Sequence, residues 1–164
     1  GVDVRIDRAV AVVNDVVLTD SELRTEARLA LAMRETSEAA TLELPGEFLG
    51  NFLAYAIHER LIASARQKSR RGEELVDDNA LLRRFSRRFS SNTALDAFLR
   101  RFGIRRAKLM SVLRRNYLNE IFVAERMRRR LREDEQAEAA TQSRELRLWL
   151  IELWQRSTIR VVSV

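Results

Sequence analysis

Few side chains in this sequence have the types and spacing that catalysis requires. His58 is the only histidine and there is no cysteine, so neither a histidine metal site nor a thiol nucleophile can be assembled. Glu59 follows His58 directly, but neighbouring residues on a helix point in different directions. Ser21, Ser37 and Ser111 have no base at a recognisable spacing. We therefore expect the protein to have no catalytic residue, to bind no metal or cofactor, and not to be an enzyme.

One group of carboxylates lies at the predicted start of a helix. It consists of Glu73, Glu74, Asp77 and Asp78. Acidic side chains are favourable there because the first turn of a helix carries partial positive charge, and this explains the group without a metal. No glycine-rich loop of the kind that holds a phosphate occurs in the chain, so a nucleotide or other small-molecule substrate is not expected.

Aromatic residues next to arginine pairs form the most informative pattern. Four phenylalanines lie at helical spacing in two short segments, beside Arg83-Arg84, Arg87-Arg88 and Arg100-Arg101. Such spacing is typical of a helical core, and that interpretation is favoured. The alternative is that these side chains are partly exposed. They would then bind apolar segments of unfolded chains, with arginine stems at the rim. The candidate peptide-binding residues are Phe85, Phe89, Phe98, Phe102, Met110 and Tyr117.

Positive charge is concentrated in the middle of the chain. The net charge is +6, and residues 81–132 hold 16 basic and three acidic side chains. A basic surface suits an anionic partner such as nucleic acid. However, 28 of the 30 basic residues are arginine, which also fits a bias in base composition and a solvated surface. Repeated arginine pairs lack the Asn, Gln, Ser and Thr that read base edges, so nucleic acid is the less favoured partner.

The elements that must position these residues are mostly helical. One proline, five glycines and many Ala, Leu, Arg and Glu favour a mainly α fold. Apolar periodicity predicts six helices, at about 20–40, 47–71, 73–89, 93–102, 105–132 and 144–156. The segment 133–143 is polar without Gly or Pro, so the pattern permits either a loop or a continuous helix there. The whole of 1–164 is expected to be one domain.

Both ends of the chain read as β-structure. Residues 4–13 alternate loosely with β-branched side chains, Asn14-Asp15 suits a tight turn, and Val16-Val17-Leu18 forms a second arm. Thr19 and Glu22 have the spacing of a capping box, which predicts a helix start near Asp20. Residues 158–164 read as a terminal strand. Because a lone hairpin is marginal in water, we expect this strand to pair with 5–13 in a small antiparallel sheet.

In this order, the elements resemble the core of SurA-type periplasmic chaperones, which is related to the peptide-binding domain of trigger factor. The resemblance covers nearly the whole chain in four weak matches. They are "DRAVAVVNDVVLTDSEL" (7–23), "FLAYAIHERLIASARQKSRRGEELVDDNALLRRF" (52–85), "LDAFLRRFGIRRAKLMSVLRRNYLNEIFVAERMRRRL" (95–131) and "RLWLIELWQRSTIRVVSV" (147–164). It implies an ATP-independent chaperone that binds unfolded or nascent outer-membrane polypeptides in the periplasm, its signal peptide removed or absent from this sequence.

One departure from the family concerns prolyl isomerase activity. In the family, parvulin-type isomerase domains usually lie between the long helix and the closing helix. Here residues 133–143 fill that position, whereas a domain needs at least roughly 50 residues. We therefore expect no isomerase activity.

Two other hypotheses remain open from the sequence. One is a basic helical domain that binds nucleic acid. The other is a structural module that dimerises: if the fifth and sixth helices are continuous, the closing helix and strand would complete the fold of a second copy, giving a domain-swapped homodimer.

Overall fold

A computed structural model describes residues 7–69, 76–131 and 139–162 of the chain. Within these ranges the fold is mainly α, with a small antiparallel sheet formed from both ends of the chain, as the sequence predicts. The elements in chain order are β1 (Ala9–Val13), β2 (Val16–Thr19), α1 (Asp20–Arg34), a 3-10 turn (Ala39–Thr41), α2 (Gly46–Lys68), α3 (Asp78–Ser86), α4 (Asn92–Arg101), α5 (Arg106–Leu131), α6 (Ala139–Arg156) and β3 (Ile159–Val161).

Strand β1 lies in the middle of the three-stranded sheet, with β2 on one side and β3 on the other. Both pairings are antiparallel, and Val13 is opposite Val16 on β2 and Ile159 on β3. The expected pairing of the closing strand with the opening strand is thus confirmed. The described closing strand is shorter than predicted: it starts at Ile159 and ends at Val161, while residues 163–164 lie outside the described residues.

The turn between β1 and β2 is built by two residues with left-handed backbone. Asn14 has φ 47° and Asp15 has φ 67°, a conformation that Asn and Asp tolerate better than most residues. Asn14 also binds the two residues before the closing strand: its Nδ2 donates to Ser157 Oγ at 3.2 Å, and its Oδ1 accepts from the Thr158 amide at 3.0 Å. The turn therefore joins the two ends of the chain.

Helix α1 starts where the capping pattern predicts. The Thr19 hydroxyl accepts from the Glu22 amide at 3.3 Å, but the Glu22 carboxylate accepts from that hydroxyl rather than from the Thr19 amide. The predicted end near residue 40 is wrong, since α1 ends at Arg34. The Thr36 side chain accepts from the Ala39 amide at 3.0 Å and so directs the chain into the 3-10 turn.

Helices α3 and α6 also differ from their predicted bounds. Asp77 caps α3 by accepting from the Ala80 amide, so the helix starts at Asp78; residues 73–75 of the predicted helix lie outside the described residues. Helix α3 ends at Ser86 rather than 89, because tight turn bonds follow it and lead to Ser91, the cap of α4. Helix α6 starts at Ala139 rather than 144, so part of the polar segment 133–143 is helical.

Buried apolar side chains form two clusters. The sheet-side core joins the sheet to α1 and α2, and its fully buried members include Val10, Leu18, Leu23, Ile57 and Leu61. The α3–α4 core joins the 3-10 turn, α3, α4 and the start of α5 to the other side of α1. Its members include Leu29, Phe85, Leu95, Phe98, Leu109 and Leu113. Helix α1 therefore lies between the two cores, and Leu31 packs against both.

Helix α6 packs against α2 and α5 of the same chain. Trp149 is 1% exposed, and its ring lies 6.0 Å from that of Phe122. Arg130 at the end of α5 donates to Glu145 and Glu152 of α6, each at 3.2 Å. These contacts hold α6 beside α5 and direct the chain back to β3. None of the helices within the described ranges is long and apolar enough to span a membrane.

A candidate peptide-binding groove

The predicted aromatic residues come together, but mostly inside the protein. Phe85 and Phe98 are 2% and 5% exposed, and Phe89 lies between them with ring centroids 5.5 Å and 5.2 Å away. The Phe98 and Phe102 rings follow at 5.2 Å. For Phe85 and Phe98 the burial agrees with the favoured interpretation of the spacing as helical core, and the alternative of a partly exposed surface does not hold for these two residues.

Phe102 and Met110 are half-buried at the edge of the same core. The Arg28 guanidinium carbon lies 3.9 Å from the Phe102 ring centroid, and that of Arg101 lies 5.0 Å from it. Arg28 is fixed because it donates to the main-chain oxygens of Ala40 and Leu42, and burial lowers its pKa. The ring of Phe102 thus supports arginine side chains.

A groove opens where α1, α3 and α5 meet. It is a cavity of about 120 Å³, and its lining residues are Met33, Leu81, Arg84, Phe85, Arg88, Leu113, Asn116, Tyr117 and Glu120. Of the six residues predicted from sequence, Phe85 and Tyr117 line it, whereas Phe89, Phe98, Phe102 and Met110 do not. Met33 and Leu113 were visible in the sequence only as members of apolar stripes, and Asn116 carried no signal.

The interior of the groove is mainly apolar. Phe85 and Leu113 are buried, Leu81 and Tyr117 are half-buried, and Met33 is 38% exposed at the edge. Asn116 also lines the groove, but its Oδ1 atom is buried and forms no hydrogen bond with any described residue. The surface that a client would contact is therefore supplied mainly by Met33, Leu81 and Tyr117.

The rim of the groove is charged. Arg84 and Arg88 lie on the α3 side and Glu120 on the α5 side, and all three are exposed. Arg88 donates to the main-chain oxygens of Ala32 at 3.0 Å and Glu35 at 2.8 Å. Arg88 therefore supplies donors to main-chain oxygens at the carboxyl end of α1, and it holds the chain after α3 against that helix.

Helix α3 is held on α5 by an ion pair at its other end. Arg114 Nε donates to Asp78 Oδ1 at 2.7 Å, and a second guanidinium nitrogen reaches Oδ2. This bidentate contact lowers the pKa of Asp78. Asp78 thus links the start of α3 to α5, and Arg88 links the turn after α3 to the end of α1.

Two buried glutamates, Glu26 on α1 and Glu59 on α2, do not line the groove. Glu26 accepts from Arg60 at 2.7 Å and from Arg115. Burial alone would raise the pKa of Glu26, but the bonds from Arg60 and the charge of Arg115 hold it below its usual value. Glu59 accepts from Asn119 at 2.9 Å, and burial raises its pKa. Both have structural partners that account for them.

His58 is half-buried in α2, edge-on to the ring of Trp154 at 5.7 Å, and burial lowers its pKa. No base or acid that would make it catalytic is bonded to it among the described residues. In the part of the chain that the structure describes, no group of three His, Asp or Glu side chains is placed to hold a metal ion. We take the α1–α3–α5 groove as the candidate site because two of the residues predicted from the sequence, Phe85 and Tyr117, line it.

No known family model and no curated protein matches this chain.

Proposed function

We propose that this protein is an ATP-independent chaperone or peptide-binding domain that holds unfolded outer-membrane polypeptides in the periplasm, without isomerase activity. Two independent lines support the proposal. The sequence resembles the SurA-type chaperone core, and the fold offers an apolar groove at the junction of three helices. The groove, rather than the buried phenylalanine cluster, is the place where a client segment would bind.

The observation that carries the proposal is the composition of the groove. Phe85 and Leu113 form an apolar floor, Leu81 and Tyr117 are half-buried above it, and Met33 is exposed at the edge. An unfolded chain carries exposed apolar side chains, which gain free energy when such a surface removes them from water. A short apolar surface reads no particular sequence, which suits a protein with many clients.

Binding in such a groove is weak and reversible. A cavity of about 120 Å³ takes only a side chain or two of a client, far below the area of a stable protein–protein interface. Weak contact is an advantage for holding, because the client must leave in order to fold. No nucleotide is needed, since release follows from the low affinity itself.

The experiment compares two exposed apolar positions. Met33, 38% exposed, lines the groove, and Leu42, 64% exposed, does not. Wild-type protein in several-fold excess is expected to suppress aggregation of an unfolded barrel protein, measured by light scattering. Met33→Glu places a charge at the groove and should abolish the suppression, whereas Leu42→Glu should retain it. Failure of the wild type at several-fold excess, or equal loss in both variants, contradicts the proposal.

The remaining hypotheses have their own tests. A protease-coupled peptidyl-prolyl assay is expected to show no turnover, and clear turnover would contradict the absence of isomerase activity. A steep loss of DNA affinity with added salt, together with no peptide binding, would favour nucleic-acid binding. Light scattering at two protein concentrations separates a monomer from a domain-swapped dimer.

A further inference from the structure

We propose that the groove selects apolar segments that carry an acidic residue beside the anchoring side chain. This inference rests on the proposed function and adds the chemistry of the preferred client. The physical basis is that the rim of the groove is charged while its floor is apolar. A client segment must bring its flanking residues past that rim in order to place an apolar side chain on the floor.

The charges of α3 are separated along its length. Arginines occupy its carboxyl end and the turn after it, at positions 83, 84, 87 and 88. The acid within α3, Asp78, lies at the amino end and is bound by Arg114. The side of the groove formed by α3 is therefore positive, and no carboxylate of α3 itself neutralises it there.

Arg84 is the cation that a client carboxylate would meet. It lines the groove, it is exposed, and no described residue forms a hydrogen bond or an ion pair with it. Arg88 also lines the groove, but two of its nitrogens are engaged with α1. A free guanidinium presents two parallel donors that match the two oxygens of a carboxylate.

Glu120 on the α5 side sets the direction of the client. It is exposed, and no described residue pairs with it. A segment with its acidic residue towards α3 gains the attraction of Arg84, whereas the reverse placement brings two carboxylates together. With two arginines against one glutamate at the rim, acidic flanks are favoured over basic ones.

The test uses fluorescein-labelled peptides with one apolar centre and three kinds of flank: Asp and Glu, Asn and Gln, or Lys. Fluorescence anisotropy at low salt gives the dissociation constants. Because an exposed ion pair contributes little, we expect the acidic peptide to bind about two- to fivefold more tightly than the neutral one. The lysine peptide should bind more weakly than both. The differences should shrink at high salt, because added ions screen exposed charges.

Two charge reversals of equal size separate the groove from the net charge of the protein. Arg84→Glu should reverse the order of the acidic and basic peptides, whereas Arg83→Glu, on an exposed residue that does not line the groove, should keep it. Circular dichroism checks that both variants are folded. Equal effects of the two reversals would assign the preference to general charge and overturn the inference.

The inference and the proposed function fail in different ways. If all three peptides bind wild type equally and Met33→Glu abolishes their binding, the groove binds peptides without selecting acid, and only the inference is overturned. If binding of all three is unaffected by Met33→Glu, the groove is not the site and both are overturned. If no peptide binds wild-type protein, both are likewise overturned.

Discussion

The two cores of this protein are built from similar apolar side chains but end differently at the surface. The sheet-side core is closed by the pairing of β1 with β2 and β3, and by the bonds from Asn14 to the closing segment. The α3–α4 core opens beside α1 into the groove, where Leu81 and Tyr117 are half-buried and Met33 is exposed. The first arrangement closes its core, whereas the second leaves apolar side chains partly accessible at the surface.

Helix α1 contributes side chains to both cores, so the ion pairs that hold α1 in place affect both regions. Its buried Glu26 side chain is 3% exposed and binds Arg60 of α2 and Arg115 of α5. This arrangement holds α1 against the helices on both sides. The sheet-side core and the groove thus depend on the same ion pairs.

The largest effect is expected from removing that shared link. Glu26→Gln removes the carboxylate that two largely buried guanidiniums share, and among the described residues only Arg60 keeps a second one, Glu22 at 3.7 Å. We expect the substitution to lower the free energy of unfolding by about 3 kcal/mol. Urea denaturation measures the change, with Glu43→Gln at an exposed loop position as the control, expected within about 0.5 kcal/mol of wild type. A cost at Glu26 as small as that of the control would mean that the ion pairs do not hold the two regions together.

The next effect concerns the closure of the sheet-side core. Asn14→Ala removes two side-chain bonds to residues 157 and 158 and places alanine at φ 47°, so we expect a loss of about 2–3 kcal/mol. Asp15→Ala has the same backbone penalty but no such bonds, so it should cost only about 1 kcal/mol. Both are measured by urea denaturation. Equal costs would show that the bonds to the closing strand add nothing.

A smaller effect separates binding from stability. Tyr117→Ala removes a half-buried ring from the groove, so we expect it to weaken client binding about tenfold, since burying such a ring is worth on the order of 1.5 kcal/mol. Phe89 packs against the α3–α4 core but does not line the groove. Phe89→Ala should therefore reduce the free energy of unfolding and leave client binding by the folded protein unchanged. Peptide anisotropy and urea denaturation are measured on both. If Phe89→Ala weakens binding as much as Tyr117→Ala, the groove is not a distinct site.

The smallest effect is a pH dependence from the two buried glutamates. The folded protein holds a proton on Glu59 more firmly than the unfolded chain does, because burial raises the pKa of this group above the ordinary 4.5. Stability should therefore rise slightly as pH falls through that raised pKa. Below 4.5 it should fall, because Glu26, with its lowered pKa, loses its charge there.

Urea midpoints across this pH range test the assignment. Glu59→Gln should remove the gain above pH 4.5 and keep the loss below it. An identical profile in wild type and variant above that pH would show that Glu59 does not carry the gain.

The sequence predicted the elements better than the site. The strands at both ends followed from β-branched residues, and the start of α1 followed from Thr19 and Glu22, because these are local signals. The pairing of the end strands followed from the marginal stability of a lone hairpin. The end of α1 did not follow, since it depends on one bond from the Ala39 amide to Thr36. Phenylalanines at i, i+4 spacing suit a core and an exposed surface equally, so only the packing of α3 on α4 and α5 could decide.

The groove was hidden from the sequence for the same reason. Met33 and Leu113 belong to apolar stripes 80 residues apart, and nothing local indicates that a third helix leaves a gap between them. Asn116 looks like an ordinary polar residue of a long helix until the neighbours of its Oδ1 are known. Such a groove can be found only when the tertiary arrangement of the helices is known, whereas helix caps and turns can be predicted from the local sequence.

The most direct test of the account uses the methionines, of which the chain has three. Protein with ¹³C-labelled methionine methyl groups gives separate NMR signals for Met33 in the groove, Met110 at the edge of the α3–α4 core, and Met127 on α5. We predict that titration with an unfolded apolar peptide shifts the signal of Met33 and leaves the other two essentially unchanged. A bound peptide that leaves Met33 unchanged while it shifts Met110 or Met127 would contradict the central claim.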